Sequence, residues 1–172
     1  AAHRAGRPAR LPAPVSAATQ QAANAAANTP AAMARAEAVQ PLLALRTAAV
    51  LHSRREDWVR TVHPDSAAWR AQQAAVFDRV RMVPISGWRY RLLDTEPALT
   101  GAAEPGNGAF VARVRLSYRL SGDSRDVERE QHLSVARYGA TWLLAGEANS
   151  STERDPWELG SLVVEKGVRS LV

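Results

Sequence analysis

The chain has 172 residues, 46% of them hydrophobic and 23% charged, with no cysteine and a formal net charge of +5. That length suits one domain with a tail and a core of useful size, and the missing thiols exclude a disulfide framework, a cysteine nucleophile and any cysteine-ligated zinc or iron–sulfur site. No apolar run approaches the roughly 18 residues that a membrane helix needs, so neither a transmembrane span nor an intact secretory signal is expected within these residues.

The positive charge is nearly all arginine, with Lys166 the single lysine. Residues 1 to 40 carry Arg4, Arg7, Arg10 and Arg35 against Glu37, a balance of +3, which leaves only +2 for the rest. A body so nearly neutral has no strong field of one sign, and nucleic-acid binding is not expected.

Residues 1 to 38 are dominated by Ala, Pro, Gln and Asn and read as a flexible tail or linker, because so little apolar surface cannot repay the entropy of ordering. The Ala-rich part from Ser16 to Ala27 is helical by propensity alone and marginal. From Val39, apolar residues at Leu42, Leu43, Val50 and Leu51 recur at helical spacing, with Pro41 expected at a first turn or a kink. Trp58, Val59 and Val62 predict a second short helix that ends at His63-Pro64. Asp65 or Ser66 then caps a third, whose apolar side is Trp69, Val76, Phe77, Val80 and Val83.

After Pro84 the apolar period switches from 3.6 to 2. Trp88, Tyr90 and Leu92 alternate with Arg89 and Arg91 in a first strand, and a Gly, Pro and Asn cluster from Gly101 to Gly108 makes a loop. Phe110, Ala112, Val114, Leu116, Tyr118 and Leu120 form one face of a second strand, with Arg113, Arg115, Ser117 and Arg119 on the other. Ser121 to Asp126 reads as a hairpin connection. Pairing Ser121 with Asp126 sets Leu120 against Val127, Val114 against Leu133, Ala112 against Val135, Arg119 against Glu128 and Ser117 against Glu130. A fourth strand spans Thr141 to Glu147. The expected fold class is α+β: three N-terminal helices packed on a curved antiparallel sheet of about four strands over residues 39–150. An exit segment over 151–172 ends in a short hairpin, Leu162 to Glu165 with Val168 to Val172. Its apolar last residues suggest a piece of a longer protein with a domain to follow.

No histidine pair has zinc-ligand spacing. His52 and Glu56 form an i, i+4 pair, which reads as a surface helix pair, and His63 reads as a turn or capping residue. Asp94 and Glu96 leave the first strand as a carboxylate pair without a partner histidine. There is no nucleophile elbow, phosphate loop, dinucleotide fingerprint or calcium loop, so no catalytic residue, metal ligand or cofactor is expected. The hairpin puts Tyr118, Arg129 and Gln131 on the same face as the core residues. With Trp88, Tyr90 and Trp142 as an aromatic wall, they are the candidate ligand-binding set. Such polar groups either line a cavity or lie at the open rim of the sheet and reach water. The opposite face, Arg113, Arg115 and Arg119 with Glu128, Glu130 and His132, reads as solvated cross-strand ion pairs.

In this order of elements, the stretches VFDRVRMVPISGWRYRL, FVARVRLSYRL, YGATWLLAGE and DPWELGSLVVEKGVRSLV resemble a nuclear transport factor two-like (SnoaL-like, cystatin-superfamily) cone domain. More narrowly, they resemble the domain found N-terminal to peptidase MA-like zinc metallopeptidase domains in actinobacterial membrane-anchored proteins. The resemblance covers Leu42 to Val172 and is sharpest at Pro156 to Gly160 and Val168 to Val172. It implies an accessory domain outside the cytoplasmic membrane, tethered by an upstream anchor, whose partner is the adjacent domain of the same chain. The family's HExxH has no matching position here. A homodimer through the open sheet is compatible with the fold, and the other functional reading is a small-molecule binder or isomerase-like enzyme using the concave sheet face.

Overall fold

The computed structural model describes residues 29–98, 108–148, 154–160 and 163. Residues 1 to 28 of the tail expected over 1 to 38, most of the Gly101 to Gly108 loop and, Val163 aside, the terminal hairpin lie outside the described residues.

Helix α1 spans Pro30–Leu51 and begins at Pro30 rather than at Val39. The cause is local: Thr29 accepts a 3.2 Å hydrogen bond from the Ala32 amide, Pro30 fills a first-turn position where its missing N–H is not needed, and alanine carries the helix onward. Pro41, expected at a first turn or kink, lies inside α1 at an exposed position. Helix α2 is Arg55–Arg60 and α3 is Ala67–Val80. The His52 and Glu56 reading is corrected, because α1 ends at Leu51, His52 is its C-cap and Ser53 turns the chain with φ +54°. The two side chains therefore do not share one helix.

Four strands follow, β1 (Ile85–Pro97), β2 (Phe110–Leu120), β3 (Val127–Tyr138) and β4 (Thr141–Glu147), in the sheet order β1-β2-β3-β4. Every pairing is antiparallel, as meander connections require. The molecule is thus an α+β fold with its helices N-terminal to an open four-stranded sheet.

The hairpin register differs from expectation by two residues. Tyr118 pairs with Val127, Ala112 with Leu133, Val114 with Gln131 and Ser117 with Glu128, so Leu120 does not meet Val127. A two-residue slip preserves which face each side chain occupies, so burial alone could not distinguish the two registers. The longer connection leaves Asp126 free to accept Arg119 at 2.7 Å and to approach Arg89 at 3.6 Å. An irregularity between Leu92 and Asp94 also shifts the phase of β1. Asp94 consequently meets Arg113 on the charged face, so of the two carboxylates expected to leave the strand together, Asp94 is held in an ion pair with Arg113.

The core has two parts. Val39, Leu42 and Leu43 of α1 pack with Phe110, Ala112, Val114, Leu133, Val135 and Leu144. Nearer the other end, Trp58, Val76, Phe77 and Val80 pack with Trp88, Leu116, Tyr118 and Trp157. The Val62 backbone bridges to Leu144 of β4, with His63 N–H to Leu144 O at 2.8 Å and Leu144 N–H to Thr61 O at 2.9 Å. These bonds fasten the α2–α3 connection to the last strand.

Candidate functional site

The sheet face that carries Trp88 and Tyr118 is covered by a segment whose placement the sequence did not reveal. A four-residue helix, α4 (Pro156–Leu159), is started by a capping box in which Asp155 and Glu158 each accept the other's backbone N–H, the 2.8 Å bond from Asp155 N–H to Glu158 Oε2 being one half. Such reciprocal capping satisfies donors that a helix start leaves open. The capping turns Trp157 inward, 4.8 Å from the Tyr118 ring and 5.8 Å from Trp88. Arg79 of α3 donates to the Trp157 carbonyl.

Tyr118 and Arg129, both in the candidate ligand set, are engaged by this segment. The Tyr118 hydroxyl donates to Asp155 Oδ1 at 2.7 Å, and Arg129 Nε lies 3.3 Å from the same oxygen. Asp155 is fully buried, and a buried carboxylate persists only with such donors around it. Burial first, and then the bond to Asp155, push the Tyr118 phenol well above its ordinary range.

Beneath α4 lies a cavity of about 20 Å³, bordered by Arg46, Trp88, Tyr90, Gln131, Glu147 and Glu158. It has room for one water-sized group, for which about 10–15 Å³ suffices. Trp88, Tyr90 and Gln131 of the candidate set therefore meet around one small space. Trp142 does not join them; it packs edge-on against Phe110 at 5.3 Å, with the Arg137 guanidinium 5.4 Å from its ring.

The residue that organises this interior is Arg46, only 4% exposed. Its guanidinium lies 3.3 Å over the Trp58 ring and donates to Thr61 Oγ1 at 3.1 Å and Gln73 Oε1 at 2.6 Å. Thr61 in turn donates to the Trp58 carbonyl, and Trp58 Nε1 donates to the Gln73 carbonyl. One side chain thus locks α1, α2 and α3 together. Among the described residues no carboxylate lies within 4 Å of it. Burial lowers its pKa, opposed by the Tyr90 hydroxyl and, at longer range, by Glu158 and Glu147. Arg46 Nε and Trp88 Nε1 are both buried without a full hydrogen bond. Burial also raises the Tyr90 phenol, with Arg46 pulling the other way, and burial raises the Glu158 carboxyl.

Arg46 and Gln73 escaped the sequence reading, although a signal was present. Each sits in the phase of its helix's apolar stripe, Arg46 between Leu42 and Ala49 and Gln73 between Trp69 and Val76. A polar residue at core phase is either an error of reading or a buried hydrogen-bonding group. No cluster of three or more histidine, aspartate or glutamate residues among the described residues is placed to hold a metal. No protein-family model matches the chain, and neither does any curated protein or solved structure.

Proposed function

We propose that this chain is a non-catalytic accessory domain of a larger, membrane-anchored protein. In this reading it is a cone-like scaffold that holds a C-terminal zinc peptidase-like domain, or a protein or peptide, in position outside the cytoplasmic membrane. The observation that carries the reading is the covering of the sheet's core face at Trp88 and Tyr118 by the chain's own Asp155–Trp157 segment. A substrate site needs accessible space of about 300–1,000 Å³, whereas the covered cavity offers about 20 Å³. Tyr118 and Arg129, the polar groups best placed to receive a ligand, instead hold Asp155, which in this reading starts the segment leading to a following domain. A domain that fixes its own exit segment sets the direction in which the chain continues, which is what a positioning domain must do.

The sequence of the gene on both sides of this segment tests the proposal. An apolar stretch of about 20 residues upstream and an HExxH helix downstream are expected, and a stop codon soon after Val172 overturns it. A second reading, a small-molecule binder, draws on two donors beside the cavity that lack a full hydrogen bond among the described residues, Arg46 Nε and Trp88 Nε1. A ligand-dependent rise in melting temperature distinguishes the two, because a ligand selective for the folded state stabilises it by mass action.

A further inference from the structure

The outer edge of β1 is a second feature, independent of the covered sheet face. Among the described residues β1 pairs on one side, with β2. Along its other side runs an open groove of about 630 Å³ whose far wall is α1. β1 contributes four consecutive residues to it, Arg89, Tyr90, Arg91 and Leu92. Successive side chains on a strand point to opposite faces, so four in a row line one groove only where it follows the backbone edge. An edge of this kind presents N–H and C=O groups at alternate residues to any chain laid beside it.

The chemistry of the groove specifies what would lie there. Its α1 wall is apolar at Leu43, Ala44 and Leu51, and among the described residues no aspartate or glutamate lines it. Arg89 shares Asp126 with Arg119. Arg91 stands opposite Arg115 in the sheet register, and Arg115 is held by Glu128 at 3.6 Å. Among the described residues Arg91 has no carboxylate within 4 Å. It is the one arginine of the charged sheet face left in that condition, since Arg113 has Asp94 and Glu130. A second copy pairing edge to edge would set Arg89 and Arg91 against their own counterparts, and like charges directly opposite are unfavourable.

We propose that this edge receives an extended acidic peptide segment as a fifth strand. Alternate carboxylates of the segment meet Arg89 and Arg91 on the sheet's charged face, and the intervening apolar side chains turn toward Leu43 and Leu51 of α1. Main-chain hydrogen bonds supply the affinity and the alternation supplies the specificity, as in other strand-addition complexes.

The test uses the full 172-residue chain and the peptide acetyl-Val-Glu-Val-Glu-Val-Glu-amide, followed by NMR and hydrogen exchange. Added peptide should shift the amide signals of residues 89 to 92 and protect alternate ones. Replacing glutamate by lysine in the peptide, or N-methylating its strand-forming amides, should abolish binding. Arg91→Glu should weaken the glutamate peptide at least about tenfold and favour the lysine peptide, since opposed charge governs the choice of partner. The proposal is overturned if signals at β1 do not move. It is equally overturned if binding survives N-methylation, which would make it charge attraction alone, or if sedimentation shows a dimer whose interface is this edge. In the first case Arg89 and Arg91 serve only to keep an exposed edge from pairing.

Discussion

Tyr118 in β2 and Asp155 beyond β4, 37 residues apart in sequence, are joined by a 2.7 Å hydrogen bond in which the phenol donates to a carboxylate with no solvent exposure. This contact ties the core face of the sheet to the segment that covers it. It also makes Tyr118, a candidate ligand-binding residue by sequence, part of the domain's interior.

Removing either partner should therefore cost more than a surface substitution. Tyr118→Phe loses one buried bond and should destabilise the chain by about 1–2 kcal/mol. Asp155→Ala strands the phenol and removes the cap of α4, for about 2–4 kcal/mol. The double variant should cost clearly less than the sum, because the two changes share one interaction. Urea unfolding of the four proteins measures this coupling, and strict additivity would show that the bond is energetically inert.

Trp157→Ala tests whether α4 is a separable cover. Deleting a buried tryptophan side chain typically costs about 3–5 kcal/mol, but a four-residue helix can detach before the whole chain unfolds. The expected outcome is loss of hydrogen-exchange protection at residues 154–160 while β2 keeps its own, with Trp88 fluorescence shifted to the red. Simultaneous loss of protection in β2 would make α4 an integral part of the core.

Helix α3 and strand β2 could be read from the sequence because each carries a single apolar period: 3.6 in α3, and 2 from Phe110 to Leu120. The phase shift in β1 could not, because nothing in the residues around Leu92 marks an irregularity, and Asp94 consequently looked like a free carboxylate. Register failed for a different reason: two pairings of β2 and β3 that differ by two residues bury the same faces. At the site, Trp88, Tyr90, Tyr118, Arg129 and Gln131 were legible as inward-facing groups. What they face was not, since the partner comes from Asp155 and Trp157 and only three-dimensional closure brings it there. Arg46 was hidden by the assumption that an arginine on an amphipathic helix points to water.

Arg46 allows a sharper test of what a buried ion contributes. Arg46→Met leaves Gln73 Oε1 without its 2.6 Å donor and loses the cation–π contact, for an expected cost of about 2–4 kcal/mol. Adding Gln73→Leu removes the stranded carbonyl and should recover most of that loss, since buried polar groups are often replaceable by apolar ones when both partners change together. Thermal and urea unfolding report the cycle. If the double variant is as unstable as the single, the guanidinium matters chiefly through Thr61 and Trp58.

Glu158 predicts a pH dependence of definite sign. Burial raises its pKa in the folded state, reinforced by Asp155 and Glu147 and partly offset by the Asp155 backbone N–H. A group whose folded pKa is raised holds more protons in the folded chain than in the unfolded one, so its contribution to stability is fully present below the unfolded value and is lost as pH rises through the folded one. Between the ordinary glutamate range, about 4.3, and that raised value, this residue therefore makes stability fall with increasing pH. Glu158→Gln keeps an oxygen to accept the Asp155 N–H and has no proton to lose. The variant should match the parent chain near pH 4 and gain on it progressively toward pH 7, measured as the difference in urea unfolding free energy. A difference that stays flat across that range would show that the Glu158 carboxylate is solvated well enough to ionise normally, and that α4 does not seal the cavity beneath it.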